Sequence, residues 1–482
     1  MRNVLHRDTY TKNFISDNSG YGMDYKTTTT YLNSFIDYEK RDSFPYTRAL
    51  KLKRVTHLFE SLNIAYGRLK TIHVAGTKGK GSTATFCAYI LAASGYKVGL
   101  YTSPHFFDFR ERIRILKFSG VGRAHAIPRI ESKAILQGEV VRIVGQFKPI
   151  LDKFTGRGRW GKISFFEVYT AVAMQHFLDQ KVDFVVLETG LGGRLDATNI
   201  ATPLIAIITH IGYDHTNTLG THLKDIASEK AGIIKDNIPV VTASQRRSVL
   251  SQIKKTAKKC QATLFALGKD FDCRHIRMKK NKTLFDFYFG TTRVPNIKIL
   301  PRGIHQIENA SLALGGLYIL QRKGIISNPL QVKEGLANCS IEGRFEVISR
   351  TPLFVVDIAH NPSSFAALHN TLSAYFPGKK IILIFGASKG KDIKNMLNKI
   401  VFDKIIITSF SNPRSISPGE ISRCMKLQGA VLTHNVHEAL NIGRKYYMPG
   451  SLILVAGSFF LAAEVKAILK KKLPWNNQRF VH

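Results

Sequence analysis

The sequence has few cysteines and no C-x-x-C pair. Its five cysteines, Cys87, Cys260, Cys273, Cys339 and Cys424, are scattered over 482 residues. An odd and widely spaced set is typical of free thiols in a reducing compartment. We therefore expect a cytoplasmic protein without structural disulfides.

The sequence also lacks a long apolar run. Its most apolar stretch, residues 452–469, is interrupted by a Gly-Ser pair and by two charged residues, so we expect no membrane-spanning segment. The first 30 residues are polar and contain no apolar core of a signal peptide. We interpret residues 1–30 as a polar N-terminal extension that is frayed or follows from a misplaced start site.

Acidic residues are scarce, with 34 Asp and Glu against 70 Lys and Arg, which gives a formal net charge of +36. Two explanations fit: nucleic-acid binding, or a basic background that steers anionic small substrates. The basic residues are spread along the chain, without a long basic tail, an RNA-recognition signature or zinc-finger spacing. We favour the second explanation and expect no nucleic-acid partner. A basic nucleic-acid-binding ATPase remains the alternative from another class.

Short apolar runs alternate with helical patterns, which predicts βαβ units and an α/β fold with a doubly wound parallel sheet. A second series of such units starts after about residue 340, so we place a domain boundary near residues 341–343, with one domain at 31–340 and another at 341–482. The lysine-rich segment 260–302 alternates apolar and polar residues and predicts an antiparallel hairpin. The predicted buried strands are TIHVAG, VGLYTS, FVVLETG, LIAIITHI, IPVVTA, LFVVDIAH, KIILIFGAS, KIIITSF, AVLTH and SLILVAGS.

The stretch HVAGTKGKGST, residues 73–83, predicts a phosphate-binding loop between a strand and a helix. Its glycines let backbone N–H groups face an anion, and Lys80 supplies a positive charge. A tight turn that caps a helix is the structural alternative. The ordinary loop has Ser or Thr after its lysine as a Mg²⁺ ligand, whereas this chain has Gly81. We expect the missing oxygen at neighbouring strand ends, where Ser103, Glu188 and His215 are candidates.

At the level of motifs the chain resembles the Mur ligase superfamily, and within it the folylpolyglutamate synthase/dihydrofolate synthase family. The matching stretches are VAGTKGKGST, YTSPHFFDFRERIRI, FFEVYTAVA, VVLETGLGGRLDATN, HIGYDHTNTLG, IASEKAGIIK, GRFEVI and DIAHNP, in family order over about residues 32–465. The resemblance implies a Mur-ligase-like fold, with an N-terminal P-loop ATPase domain, mostly of parallel sheet, and a smaller Rossmann-like C-terminal domain. It implies that ATP phosphorylates a folate or pteroate carboxylate and that the amine of L-glutamate attacks the acyl phosphate.

The resemblance also implies roles for individual residues. The ATP-binding positions are Gly79, Lys80, Gly81, Ser82, Asn309, Arg344 and Asp357. The ligands of Mg²⁺, at two sites, are Ser103, Glu188, His215 and Lys230, the last as a carbamylated lysine. Potassium is kept as a further candidate cation. The catalytic residues are Lys80, Lys230 and His360. The folate (pterin) pocket is lined by Ser164, Phe165, Phe166, Glu167, Leu195, Asp196 and Ala197.

Several alternatives remain open at this level. By sequence alone Lys230 would be a lysine on a surface helix, and His360 fits a glutamate pocket or a helix-capping loop equally well. Residues Ala49, Leu50 and Lys51 stand where dihydropteroate-binding members have Asp-Leu-Gly, which leaves the dihydrofolate synthase activity open. Gly390 replaces an acidic residue, and the basic stretch 117–133 is a candidate mouth for a polyanionic substrate tail. A UDP-muramoyl amino-acid ligase is the alternative enzyme, and we expect a monomer.

Overall fold

The computed structural model describes residues 23–41, 44–121, 128–154, 161–279, 282–425 and 429–472. Residues 1–22 of the predicted extension and 122–127 of the basic stretch lie outside this description. No helix within the described ranges is long and apolar enough to span a bilayer. The predicted division at residues 30 and 341 stays a prediction.

The chain alternates helices and strands from end to end. The strands are β1 (Thr71–Ala75), β2 (Val98–Tyr101), β3 (Ile113–Val121), β4 (Pro128–Ala134), β5 (Phe184–Glu188), β6 (Ile205–Ile208), β7 (Val240–Thr242), β8 (Leu264–Ala266), β9 (Phe271–Lys279), β10 (Lys282–Phe289), β11 (Thr292–Ile299), β12 (Glu346–Arg350), β13 (Leu353–Val356), β14 (Lys380–Phe385), β15 (Lys404–Thr408), β16 (Val431–Thr433) and β17 (Ser451–Ala456).

The α-helices are α1 (Tyr25–Asn33), α2 (Tyr46–Ala49), α3 (Leu52–Ser61), α4 (Lys80–Ala93), α5 (Gln137–Leu151), α6 (Phe165–Asp179), α7 (Thr216–Leu219), α8 (Leu223–Ala231), α9 (Arg247–Lys259), α10 (Ile304–Arg322), α11 (Val332–Asn338), α12 (Pro362–Tyr375), α13 (Ile393–Leu397), α14 (Pro418–Met425), α15 (Val436–Tyr446) and α16 (Phe459–Lys472). Short 3-10 turns occur at Tyr38–Lys40, Tyr66–Arg68, Phe109–Arg112 and Ala197–Ile200.

The strands form three sheets, and the predicted α/β architecture with mostly parallel sheet is confirmed. The largest has the order β4-β3-β2-β5-β1-β6-β7-β8, in which only β3 runs opposite to the other strands, so its pairs with β2 and β4 are antiparallel. The C-terminal sheet has the order β12-β13-β17-β14-β15-β16, and only β12 is antiparallel. Every predicted apolar run lies on a strand of one of these two sheets.

The segment 260–302 differs from its prediction. A single hairpin was expected, but β9, β10 and β11 form a three-stranded antiparallel sheet, and β8 instead extends the large parallel sheet. The alternation of apolar residues is real, because Phe285, Phe287 and Phe289 all point into the core. Alternation of apolar and polar residues predicts that a segment forms strands, but it does not predict the number of strands.

Residues 25–30 of the predicted extension belong to helix α1. The Asp24 carboxylate accepts the N–H of Thr27 at 2.7 Å and caps the helix. Leu32 is fully buried among side chains of α3 and α5, and the Tyr25 hydroxyl donates to Asp108 at 3.3 Å. This part of the polar segment is therefore packed on the large domain rather than frayed.

Helix α4, which follows the phosphate loop, is the central helix of the large domain. Every residue from Ser82 to Ala93 is buried, because the large sheet covers one side while α10 and α11 cover the other. A helix that is apolar all round is suited to such a position. Gly335 of α11 lets the two backbones touch, since a Cβ there would lie 2.6 Å from Ile90 Cα.

We expect Gly335→Ala to destabilise the protein although alanine is the better helix former. The added methyl must push α11 off the backbone of α4, at a cost of roughly 1–3 kcal/mol. The thermal unfolding midpoint should fall by about 2 °C or more. The matched control is Gly138→Ala in the first turn of α5, where a Cβ meets nothing within 4 Å. A Gly335→Ala protein as stable as the unaltered chain would contradict this packing.

Candidate functional site

The phosphate loop is shaped by two glycines that other side chains approach closely. Gly79 has φ +83°, and a Cβ on it would lie 2.0 Å from Asn309 Oδ1. A Cβ on Gly81 would lie 3.1 Å from Glu188 Oε2. The loop is therefore built so that an amide from α10 and a carboxylate from the tip of β5 both reach it. The glycine that replaces the usual hydroxyl makes room for Glu188.

The start of α4 offers groups that an anion would satisfy. No side chain caps the helix at Gly79, so its first N–H groups are available. The hydroxyls of Ser82 and Thr83 are buried and have no hydrogen-bond partner among the described residues. Buried polar groups are normally paired, and a helix N-terminus attracts phosphate. These residues therefore fit the phosphates of ATP.

Lys230 lies under this loop and is 5% exposed, so the interpretation of a surface lysine is wrong. Its Nζ donates to the carbonyl of Gly76 at 2.7 Å. Burial, together with the positive charge of Lys80, lowers the pKa of Lys230 from 10.5 to about 7. A large share of this amine is consequently neutral at neutral pH, which is the form that can react with CO₂.

The three strand-end candidates for metal binding lie around the same loop. Glu188 is 4% exposed at the end of β5 and accepts the backbone N–H of Ser103 at 3.0 Å. Burial raises the pKa of Glu188, although Lys80 opposes the shift. His215 precedes α7 with φ +49° and keeps a solvent-exposed surface. Partial desolvation, together with the positive charges of Lys391, Lys230 and Lys80, lowers its pKa. Its imidazole is thus neutral and able to donate a lone pair to a cation.

The donor set fits a hard cation only if all four predicted ligands take part. Within the described residues, no group of three or more His, Cys, Asp and Glu side chains is placed to hold a metal. Glu188 and His215 supply one carboxylate and one imidazole. The remaining oxygens would be the hydroxyl of Ser103 and a carbamate on Lys230, which supplies the negative charge that hard cations favour.

Asp214 joins the two domains at this site, and the sequence analysis did not single it out. Its carboxylate accepts from Lys391 Nζ at 3.1 Å and lies 3.7 Å from His360 Nε2, both from the C-terminal domain. Burial would raise the pKa of Asp214, but His360 and the nearby positive charges hold it well below its usual range. Asp214 lies within the quoted motif HIGYDHTNTLG, and only the folded chain shows that it faces Lys391.

The C-terminal residues predicted to bind ATP converge on the same place. Burial lowers the pKa of Arg344, and the negative charges of Asp357 and Glu188 oppose this shift. Asp357 accepts the backbone N–H groups of Phe345 at 2.8 Å and Ala359 at 2.7 Å. His360 belongs to the loop before α12, where its N–H donates to Ser364, and its ring also faces Asp214. His360 therefore lies in the helix-capping loop, and its role in a glutamate pocket stays a prediction.

Comparisons with known proteins identify this arrangement. Residues 165–317 match the Mur ligase middle domain, and residues 343–459 match the Mur ligase glutamate ligase domain. The dihydrofolate synthase/folylpolyglutamate synthase of Bacillus subtilis is 31% identical over 424 residues, which span 87% of this chain and 95% of that protein. The chain belongs to the folylpolyglutamate synthase/dihydrofolate synthase family. The recognition made from the motifs is confirmed.

Solved structures of this family have the same fold. Folylpolyglutamate synthase from Thermotoga maritima matches with a TM-score of 0.75 at 30% identity and covers 92% of this chain and 96% of that one. The Mycobacterium tuberculosis enzyme complexed with ADP matches with a TM-score of 0.81 at 25% identity and covers 92% and 98%. The chain is therefore an ATP-dependent ligase, and these matches do not favour the UDP-muramoyl alternative.

The residues predicted to line the folate pocket at 164–167 lie at the start of α6, where polar side chains hold the backbone. The Ser164 hydroxyl and the Glu167 carboxylate form a reciprocal capping box. Glu167 also accepts two hydrogen bonds from Arg54, at 2.9 and 2.7 Å, and both side chains are buried. Arg54 in turn donates to the carbonyl of Ala49 at 2.8 Å. Ser164 and Glu167 therefore fix the backbone behind the predicted wall of the pocket.

Two of the predicted pocket residues keep an accessible surface. Phe166 and Leu195 are partly exposed, whereas Phe165, Asp196 and Ala197 are 5%, 2% and 4% exposed. Asp196 accepts N–H groups of Leu191 and Thr198 and so fixes its own loop. A pterin ring would meet Phe166 and Leu195 first, and their role in binding stays a prediction.

Two further positions of interest are Gly390 and the basic stretch 117–133. Gly390 has φ +75°, and a Cβ there would meet nothing within 4 Å, so the missing acidic side chain leaves no packing defect. Lys117 and Lys133 lie on β3 and β4 at one edge of the large sheet, and both pair with Glu131. A role of the basic stretch as a substrate mouth stays a prediction.

We expect Gly81→Ser, which restores the usual phosphate-loop hydroxyl, to lower ATP-dependent turnover by at least about tenfold. The new Cβ would lie 3.1 Å from Glu188 Oε2 and displace that carboxylate. Initial rates at saturating ATP would measure the effect. The matched control is Gly419→Ser, also the second residue of a helix, with nothing within 4 Å. An unimpaired Gly81→Ser enzyme would show that the loop does not depend on this close approach.

Proposed function

We propose that this protein joins L-glutamate to a folate, using ATP and an acyl-phosphate intermediate. The observation that carries the proposal is the convergence of the phosphate loop, Lys230, Glu188 and the Asp214–Lys391 pair on the ends of β1, β5 and β6. It combines a triphosphate cradle with residues of a second domain, as a ligation between two bound substrates requires. The names of the relatives supply the substrates.

The chemistry follows from the charges around this point. A carboxylate is a poor electrophile, and phosphorylation gives it a good leaving group. Lys80 and the N-terminus of α4 would neutralise the phosphates as charge moves during transfer. Arg344 would add a second positive charge from the opposite domain. The contacts of Lys391 and His360 with Asp214 keep the two domains together, and this excludes water from the acyl phosphate.

Magnesium is the cation that best suits this donor set. Ser103, Glu188, His215 and a carbamylated Lys230 would hold it at two sites, and potassium is a further candidate. These residues would hold the cation beside the phosphate loop, where its charge would offset the negative charge that develops on the phosphates. The support in this chain is the neutral imidazole of His215, the buried carboxylate of Glu188 and the lowered pKa of Lys230.

The remaining parts of the proposal concern partners and location. We propose that the protein acts on folate or dihydropteroate, L-glutamate and ATP, as a monomer in the cytoplasm and without nucleic acid. All five cysteines are unpaired, in keeping with a reducing compartment. Ala49–Lys51 replaces the segment of dihydropteroate-binding members, so tetrahydrofolate is the acceptor we favour.

Purified protein with ATP, Mg²⁺ and labelled glutamate should incorporate label into tetrahydrofolate. Dihydropteroate and a UDP-muramoyl acceptor are offered separately, and product is measured by chromatography. We expect no product with the muramoyl acceptor, and product with dihydropteroate would make the enzyme bifunctional. ATP turnover that responds to polynucleotide but not to folate and glutamate would instead support the nucleic-acid-binding alternative.

Activity should depend on CO₂ through Lys230. Because the pKa of Lys230 is about 7, its neutral, reactive fraction rises as pH rises from 6 to 8. In CO₂-depleted buffer the turnover should fall and recover with bicarbonate, more completely at pH 8 than at pH 6. Lys230→Met should lose at least about 100-fold in turnover and show no response to bicarbonate. A wild-type rate that ignores bicarbonate at every pH, with no CO₂ adduct on Lys230 by mass spectrometry, would disprove carbamylation.

A further inference from the structure

A buried arginine outside the phosphate loop holds several segments together. Arg112 ends a 3-10 turn, and its side chain is 2% exposed. Its Nη1 and Nη2 donate to the two carboxylate oxygens of Glu39 at 2.8 and 2.6 Å, and its Nε donates to His105 Nδ1 at 2.9 Å. A bidentate pair between a buried arginine and a half-buried carboxylate fixes geometry as well as charge.

One side of this arginine braces the loop that carries Ser103. The carbonyl of Arg112 accepts the N–H of Thr102 at 3.0 Å, and its guanidinium holds His105. Ser103 therefore lies between two residues that Arg112 fixes. The positive charge of Arg112 also acts on the carboxylate of Glu188.

The other side braces the wall of the folate pocket. The guanidinium carbon of Arg112 lies 5.8 Å from the centre of the Phe165 ring. The segment that carries Glu39 reaches the same wall, because the N–H of Phe165 donates to the carbonyl of Ile36 at 2.9 Å. Phe165 therefore has two contacts with this group of residues: its ring lies against the Arg112 guanidinium, and its backbone N–H is bound by the segment that precedes Glu39.

The same segment is also held by the C-terminal domain. Arg414 Nη1 donates to the backbone carbonyl of Glu39 at 3.1 Å. The carbonyl of Arg414 accepts the N–H of Lys389 at 2.8 Å, two residues before Lys391, which pairs with Asp214. A continuous set of contacts therefore runs from the folate wall through Arg112, Glu39 and Arg414 to the domain interface.

We propose that Arg112 and Glu39 are positioning residues, which set the folate wall at Phe165 against the Ser103 loop only while Arg414 docks the C-terminal domain. The inference rests on the proposed function, since it assigns these residues to the folate pocket. A purely structural ion pair would stabilise the fold without affecting one substrate more than another. The positioning role predicts a change specific to the folate acceptor.

Two variants test this without leaving a buried charge unpaired. Arg414→Ala removes the hydrogen bond from the C-terminal domain to the Glu39 carbonyl and leaves Arg112 with its partner. Glu39→Gln combined with Arg112→Met removes both charges together, a change that buried pairs often tolerate. We expect each to raise the KM of the acceptor that the unaltered enzyme uses by roughly tenfold or more, while the KM of ATP stays unchanged. Adding Arg414→Ala to the double variant should give no further rise, because coupled residues are not additive.

The control is Arg142→Ala in α5. It breaks the ion pairs of Arg142 with Glu139 of the same helix and with Asp179, the last residue of α6. It should leave both KM values unchanged. If the variants lower the unfolding midpoint but not the affinity for the acceptor, or if their effects on the acceptor KM are additive, the positioning role is wrong. Either result would leave the proposed function standing. If the unaltered protein turns over neither folate acceptor, the proposed function fails and the inference fails with it.

Discussion

The site depends on the close approach of side chains from other elements to the backbone of the phosphate loop. Asn309, Glu188 and the ammonium of Lys230 all reach residues 76–81, and two of them occupy space that a Cβ at Gly79 or Gly81 would need. Phosphate loops usually place the metal-binding hydroxyl inside the loop itself. In this chain Gly81 takes that position, and the ligands that we propose instead lie at neighbouring strand tips, so such a site would need the sheet to hold β1, β2, β5 and β6 in register.

Electrostatics explains why these groups can be gathered in so small a space. Burial shifts the pKa of Lys230 and His215 downwards and that of Glu188 upwards, so each shift reduces the charge carried near the loop. Asp214 stays ionised because positive groups of the other domain surround it. The contacts of Asp214 with Lys391 and His360 therefore place part of the interface between the domains beside the candidate site.

Sequence patterns were sufficient to predict the architecture, because buried parallel strands are encoded by continuous apolar runs. Each apolar run that was predicted as a strand is a strand in the structure. The patterns failed at segment 260–302, where alternation could not count strands, and at residues 25–30, where a polar helix is fixed by a cap and one buried leucine. In the site, the motifs led to Lys80, Glu188 and His215. Asp214, Lys391 and Arg112 were not found, because their importance comes from partners more than 70 residues away in the chain.

The enclosed position of α4 has a consequence for biosynthesis. This helix is finished by residue 93, yet the elements that cover its second face, from β9 to α11, end only at residue 338. While a ribosome makes the intervening chain, a helix that is buried on all sides in the folded protein has one side without its native cover. Folding of the large domain must therefore wait for its last elements, and the growing chain depends over that interval on chaperones or on temporary contacts to shield the exposed face.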